Sequence, residues 1–138
     1  MLLKKIKFLE VDPMYRLVLG NYRYDIPANI DQLAQKMGKW FPEDQQAIKE
    51  TLLEIKQIGN FIFGNSYEKS ETISKKVFDI MGMFFAEYLD NRFKHPHASK
   101  VLGSLHPYAG VPMNELSALF MMCVITSYQG GAFYPRGG

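Results

Sequence analysis

From Ala118 to Ile125 the chain carries no polar side chain. A helix built on this run has an apolar surface nearly all the way round, so it must be buried or packed in an interface. Periodicity extends that helix from about Met113 to Tyr128, and Gly130-Gly131 stops it. The other elements therefore have to wrap this one. No stretch of the chain reaches the ~18 apolar residues of a membrane span, and Met1 to Glu10 lacks the apolar run of a signal peptide.

With 138 residues, 47% of them hydrophobic, the chain is long enough for one domain with a sizeable core. Sixteen basic against 14 acidic residues leave a net charge of +2, which argues against a nucleic-acid partner. Cys123 is the single cysteine, so no intrachain disulfide forms, and a reducing, cytoplasmic setting fits best.

The expected class is α+β: a small antiparallel sheet of about three strands, then about five helices. Ile6, Phe8 and Val11 alternate with polar residues; after Asp12-Pro13, Tyr15 to Leu19 and Tyr22 to Ile26 flank Gly20-Asn21, a two-residue hairpin turn with glycine at its first central position. From Pro27 the pattern is helical, with Asn29 as N-cap and Leu33, Met37, Trp40 and Phe41 on one face. Phe41-Pro42-Glu43-Asp44 opens a second helix, with Pro at its first position and two acids at its positive end. Its buried stripe is Ile48, Leu52, Ile55 and Ile58. Residues 59 to 70 read as a loop, and 71 to 91 as one long helix bearing Ile73, Val77, Ile80, Phe84 and Tyr88. A short helix is expected around 98 to 105, and Ala132 to Pro135 reads as extended. The regions are thus 1 to 26 (hairpin), 27 to 129 (helical) and 130 to 138 (a returning strand and turn).

Few constellations carry chemistry. Neither G-x-G-x-x-G after a strand nor G-x-x-x-x-G-K-[ST] is present, so no bound nucleotide is expected on this chain alone. His95, His97 and His106 lack the carboxylate or cysteine partners of a metal site and read as loop histidines. Cys123 lies in the most apolar helix and reads as a core residue. The acids Glu43, Asp44 and Glu50 read as helix-start charges and a solvated face. Met113, Met121 and Met122 beside Phe120 are either core or the lining of an elongated apolar cavity.

Tyr108-Ala109-Gly110-Val111-Pro112, Leu116-Ser117-Ala118-Leu119, Ser127-Tyr128 and the closing Gly130-Gly131-Ala132-Phe133-Tyr134-Pro135-Arg136-Gly137-Gly138 are similar to one segment of the FAD-dependent oxidoreductases of the phytoene desaturase, carotenoid isomerase and retinol saturase family. There a glycine, a proline and a Ser-Ala-Leu helix lead into a Tyr-Pro-x-Gly-Gly turn. Upstream, Asp12-Pro13-Met14-Tyr15-Arg16, the Gly20 hairpin and Trp40-Phe41-Pro42-Glu43 follow the same order as that family's substrate-domain strands and Phe-Pro-Glu helix start. The resemblance covers nearly the whole chain and is most specific at Tyr-Pro-Arg-Gly-Gly.

The resemblance implies a flavoprotein whose FAD is bound by a Rossmann-like domain that this segment lacks, and a substrate domain that binds a long apolar polyene such as a carotenoid. It places Tyr134, Pro135, Arg136, Gly137 and Gly138 at the flavin-facing edge. Leu116, Phe120, Met121 and Val124 become candidates to line the apolar substrate. Catalytic and metal residues are assigned to none, and the chain is expected to be an excised piece, inactive alone. The alternative from the residues themselves is a free-standing helical module that dimerises or holds a hydrophobic ligand through its last helix. Met83, Phe84 and Phe85 beside Lys94 and Lys100 add an expectation of peripheral membrane contact. Exposed strand edges add one of homo-oligomerisation.

Overall fold

The computed structural model describes residues 6–64 and 71–137. Its order is β1 (Phe8–Glu10), β2 (Tyr15–Leu19), β3 (Tyr22–Ile26), α1 (Ile30–Trp40), a 3-10 turn (Pro42–Asp44), α2 (Gln45–Ile62), α3 (Glu71–Ile80), α4 (Phe85–Leu89), α5 (Pro96–Leu102), α6 (His106–Ala109), α7 (Ala118–Ser127) and β4 (Phe133–Pro135). The class is α+β, as expected. Its strands form two separate antiparallel pairs, β2 with β3 and β1 with β4. The first strand therefore does not join the hairpin.

The hairpin turns at Gly20, whose φ of 60° is one that L side chains rarely adopt, so glycine is needed there. Its inner face presents Tyr15, Leu17, Tyr24 and Ile26 to the core, while Arg16 and Asp25 pair across the outer face. Two tyrosines bolt it to the helices: Tyr15 Oη lies 2.5 Å from Ser104 Oγ, and Tyr24 Oη 2.8 Å from His97 Nδ1. Burial pushes both phenols above their ordinary range.

Asn29 caps α1, its side chain accepting from the N–H groups of Asp31 and Gln32. In α2 the expected stripe Ile48, Leu52, Ile55 and Ile58 is buried. The helix continues to Ile62, past the loop expected from Gly59, because Gly59 is a packing residue: α7 crosses α2 there, with Thr126 against the glycine. A Cβ on Gly59 would lie 2.6 Å from Thr126 Cβ.

The long helix expected over 71 to 91 is broken after Ile80. Phe84 is extended (φ −80°, ψ 154°) and bridges Ser117. The backbone groups freed by the break are paired, Phe85 N–H donating to Leu116 C=O at 2.7 Å and Ala118 N–H to Met83 C=O at 3.0 Å. The same pairing delays α7 to Ala118, capped by Ser117, instead of the expected start near Met113. Ala118, Met121, Met122, Val124, Ile125 and Thr126 are buried, so most of the apolar helix is wrapped, while Phe120 on the same helix stays exposed.

Glu54 on α2 ties this break to the body. Tyr88 Oη donates to its Oε1 at 2.7 Å, Lys76 Nζ lies 3.1 Å from Oε2, and Arg92 stacks 3.9 Å over the Tyr88 ring. Burial alone would raise the Glu54 carboxyl, but the hydrogen bonds from Tyr88 and Lys76 and the Arg92 charge outweigh it and hold the carboxyl below its ordinary range. A depressed carboxyl stabilises the fold above its unfolded pKa, and that contribution is lost as pH falls through the folded value. The thermal midpoint is therefore expected to fall between neutral pH and roughly pH 3. Glu54→Gln should have the lower midpoint at neutral pH and a shallower acid decline; parallel melting curves across that range would contradict the assignment.

Candidate functional site: the terminal ribbon and the cleft at its base

β1 and β4 pair Phe8 with Pro135, Leu9 with Tyr134 and Glu10 with Phe133. Flanking bonds run from Val11 N–H to Ala132 C=O at 2.8 Å and from Arg136 N–H to Lys7 C=O at 2.7 Å. In an antiparallel ladder, bonded and non-bonded pairs alternate, so Lys7, Leu9 and Val11 face the partner strand with their N–H groups. Phe8 and Glu10 point theirs outward, and so does Phe133 on the other side. Pro135 also occupies an outward position, where its missing N–H takes nothing from the ladder.

The ribbon stands clear of the core. Phe8, Leu9, Phe133 and Tyr134 are 62%, 48%, 57% and 51% exposed. An isolated two-stranded ribbon is marginal in water, and apolar side chains on both of its faces call for cover. Lys7 and Arg136 lie opposite one another, on the face that carries Leu9 and Tyr134.

Where the ribbon leaves the body, a cleft of about 270 Å³ lies between Glu10 to Asp12 and the start of α1. Its walls are Glu10, Asp12, Asn29, Gln32, Gln129 and the Gly130-Gly131 backbone, with Val11 and Ala28. Asn29, already the cap of α1, donates its amide N–H to Gln129 C=O at 3.4 Å, tying cap to ribbon base. Gly131 takes a φ of 104°, a conformation that demands glycine. Two carboxylates and three carboxamides suit a hydroxyl-bearing or cationic group and repel a phosphate.

The structure brings Tyr134, Pro135, Arg136 and Gly137 together at the ribbon's open end, with Gly137 at φ 88° and open space where a Cβ would stand. Gly138 lies outside the described residues. Leu116, Met121 and Val124 are core side chains, whereas Phe120 faces outward at 53% exposure. The four therefore do not converge on one lining. Of the residues read for membrane contact, Phe84 is exposed and Phe85 fully buried. Among the described residues, no helix is long and apolar enough to cross a membrane.

Asp44 is not on a solvated face. It is 3% exposed and accepts the backbone N–H groups of Lys94 and His95, each at 2.8 Å. His95 packs against Phe41 with the rings tilted and their centroids 4.6 Å apart, and its Nδ1 accepts from His97 N–H, so both histidines serve the packing of α5. Among the described residues no group of three or more His, Cys, Asp or Glu is placed to hold a metal. Burial pushes the Cys123 thiol up, which reduces its thiolate at neutral pH.

Sequence reasoning found the first strand through Ile6, Phe8 and Val11 and named Asn29 as a cap, but not the pairing of β1 with β4 nor the cleft that gathers Glu10, Asp12, Asn29, Gln32 and Gln129. The usable signal was Phe8-Leu9, adjacent apolar residues that point to opposite faces of a strand and so cannot both reach one core. The chain matches no protein-family model, and neither a curated protein nor a solved structure is significantly similar to it.

Proposed function

We propose that this chain is the substrate-side part of an FAD-dependent oxidoreductase acting on an apolar, polyene- or isoprenoid-like substrate, and that it has no catalytic activity alone. The carrying observation is the ribbon. The strand Phe133–Pro135, which carries Tyr134 and Pro135, returns antiparallel to Phe8–Glu10, so the chain enters and leaves the helical body side by side on a pair of uncovered strands. That is the geometry of a module inserted into another domain. The uncovered apolar faces are what such a second domain would bury.

The chain's own residues do not fit the flavin. No glycine-rich phosphate loop is present, and the cleft carries Glu10 and Asp12, which repel a diphosphate. In this reading FAD belongs to other polypeptide, and its redox chemistry is the cofactor's. The contribution of this chain is apolar surface and exclusion of water, with Phe120 the one of the four candidate lining residues that offers a face to a ligand. The module works in the cytoplasm and meets a membrane only peripherally. The coding sequence flanking this segment tests the reading: a G-x-G-x-x-G immediately after a strand pattern is expected upstream, and a complete frame without one overturns it.

A second reading, a free-standing helical module that dimerises or holds a hydrophobic ligand through its last helix, draws on Phe120, which α7 leaves 53% exposed. Bound flavin in the complete protein separates the two.

A further inference from the structure

We infer that the trough between α1 and α2 binds a small amphiphilic carboxylate, with the carboxylate at Lys49 and the apolar tail over Leu52 and Leu53. The two helices run antiparallel, with Gly38 against Gln45 at one end and Asp31 bonded to Lys56 at the other. Between these ends lies a cavity of about 420 Å³, within the size range of small-molecule sites. Ala34, Leu52 and Leu53 supply its apolar lining, and Asp31, Gln35, Gln45 and Lys49 its polar groups. Leu53 is 52% exposed, so an apolar tail seated in the trough gains by covering it.

Charge selects the occupant. The Asp31 carboxylate accepts from Lys56 Nζ through both of its oxygens, at 3.0 and 2.8 Å, and is neutralised by it. Lys49, by contrast, has no ion-pair partner among the described residues, and the side-chain amides of Gln35 and Gln45 are likewise unpaired there. Gln45 and Lys49 stand four residues apart on α2 and share a face. One free ammonium and two free carboxamides are donors that a carboxylate accepts, whereas a cationic ligand would meet Lys49 as a like charge. Bounded at both ends along roughly 12 Å of helix, the trough suits a short molecule rather than a peptide helix. None of these residues belongs to the ribbon or to α7, so the site is independent of the flavin reading.

Octanoate titrated into the isotope-labelled whole chain, followed by its amide NMR shifts, tests this. Saturable binding with a Kd of about 1 mM or tighter is expected, with the shifts centred on α1 and α2 around Ala34, Lys49 and Leu53. Octylammonium, with the same tail and the opposite charge, is expected to bind at least about fivefold more weakly. Lys49→Glu should weaken octanoate at least about fivefold, and Leu53→Asn at least about threefold, by removing the charge partner and the apolar cover respectively. Both replace exposed side chains, and either suffices if the other fails to fold. Weaker or unsaturable binding of octanoate overturns the inference. So do shifts centred elsewhere on the chain, equal binding of the two probes, or an unchanged affinity in a folded variant.

Discussion

Gly59→Ala is expected to lower the thermal midpoint by roughly 10 °C, on a loss of about 3 kcal/mol. At the crossing of α2 and α7 the added Cβ would lie 2.6 Å from Thr126 Cβ and 2.8 Å from its Cγ2, and closer still to Oγ1. Both helices are core elements, and Thr126 is short, β-branched and buried at 4% exposure, so relief requires the helices to separate. The three nearest heavy atoms that Cβ would meet across the crossing all belong to the Thr126 side chain. Gly59→Ala with Thr126→Gly should therefore regain most of the loss, short of the ~1 kcal/mol that a helical glycine costs. Thermal melts of both single variants and the double variant close the cycle. Additive losses would show that the contact is not what excludes alanine. Gly103 makes the contrast: there the added Cβ meets the thioether of Met113, a flexible side chain that can swing away, and Gly103→Ala should cost about 1 kcal/mol or less.

Asp44→Ala is the second large effect, a loss of about 2 kcal/mol, because it strands two partly buried backbone donors and empties a buried position rather than removing a surface charge. The Lys94 and His95 N–H groups both end on this carboxylate. They set the loop that delivers His95 to the start of α5, where its ring caps the helix and packs on Phe41. Asp44→Asn retains one acceptor oxygen and should fall between wild type and alanine. Urea unfolding ranks the three. If alanine and asparagine are equally mild, at less than about 1 kcal/mol, the carboxylate is not what anchors the loop.

Local patterns carried the parts of the fold with local causes. The Asn29 cap, the Gly20 turn and the stripe Ile48, Leu52, Ile55 and Ile58 depend on residues within a turn or two of each other, and all are where their spacing puts them. The departures have distant causes. β1 pairs with a strand more than a hundred residues away, and alternation marks a strand without naming its partner. Gly59 has the composition of a helix breaker, yet it sits inside α2 because Thr126 needs the space. The break between α3 and α4 exists because residues 113 to 118 accept and donate the backbone bonds that a continuous helix would have used.

The candidate site divides the same way. Tyr134 to Gly137 were legible as a glycine-stopped return strand, since Gly and Pro mark turns by their own chemistry. The cleft was not, because Glu10, Asn29 and Gln129 meet only once β1 and β4 have paired and α1 has docked. Leu116, Met121 and Val124 were named as lining on the family resemblance, and an apolar helical pattern does not separate a core face from a cavity face.

The visible absorption spectrum of the protein purified from its complete coding frame bears most directly on the proposal that these helices serve a flavin held by other polypeptide. The expected result is a flavin band with about one FAD released per chain on heating. A colourless protein that takes up no FAD when the cofactor is supplied in excess would contradict the proposal.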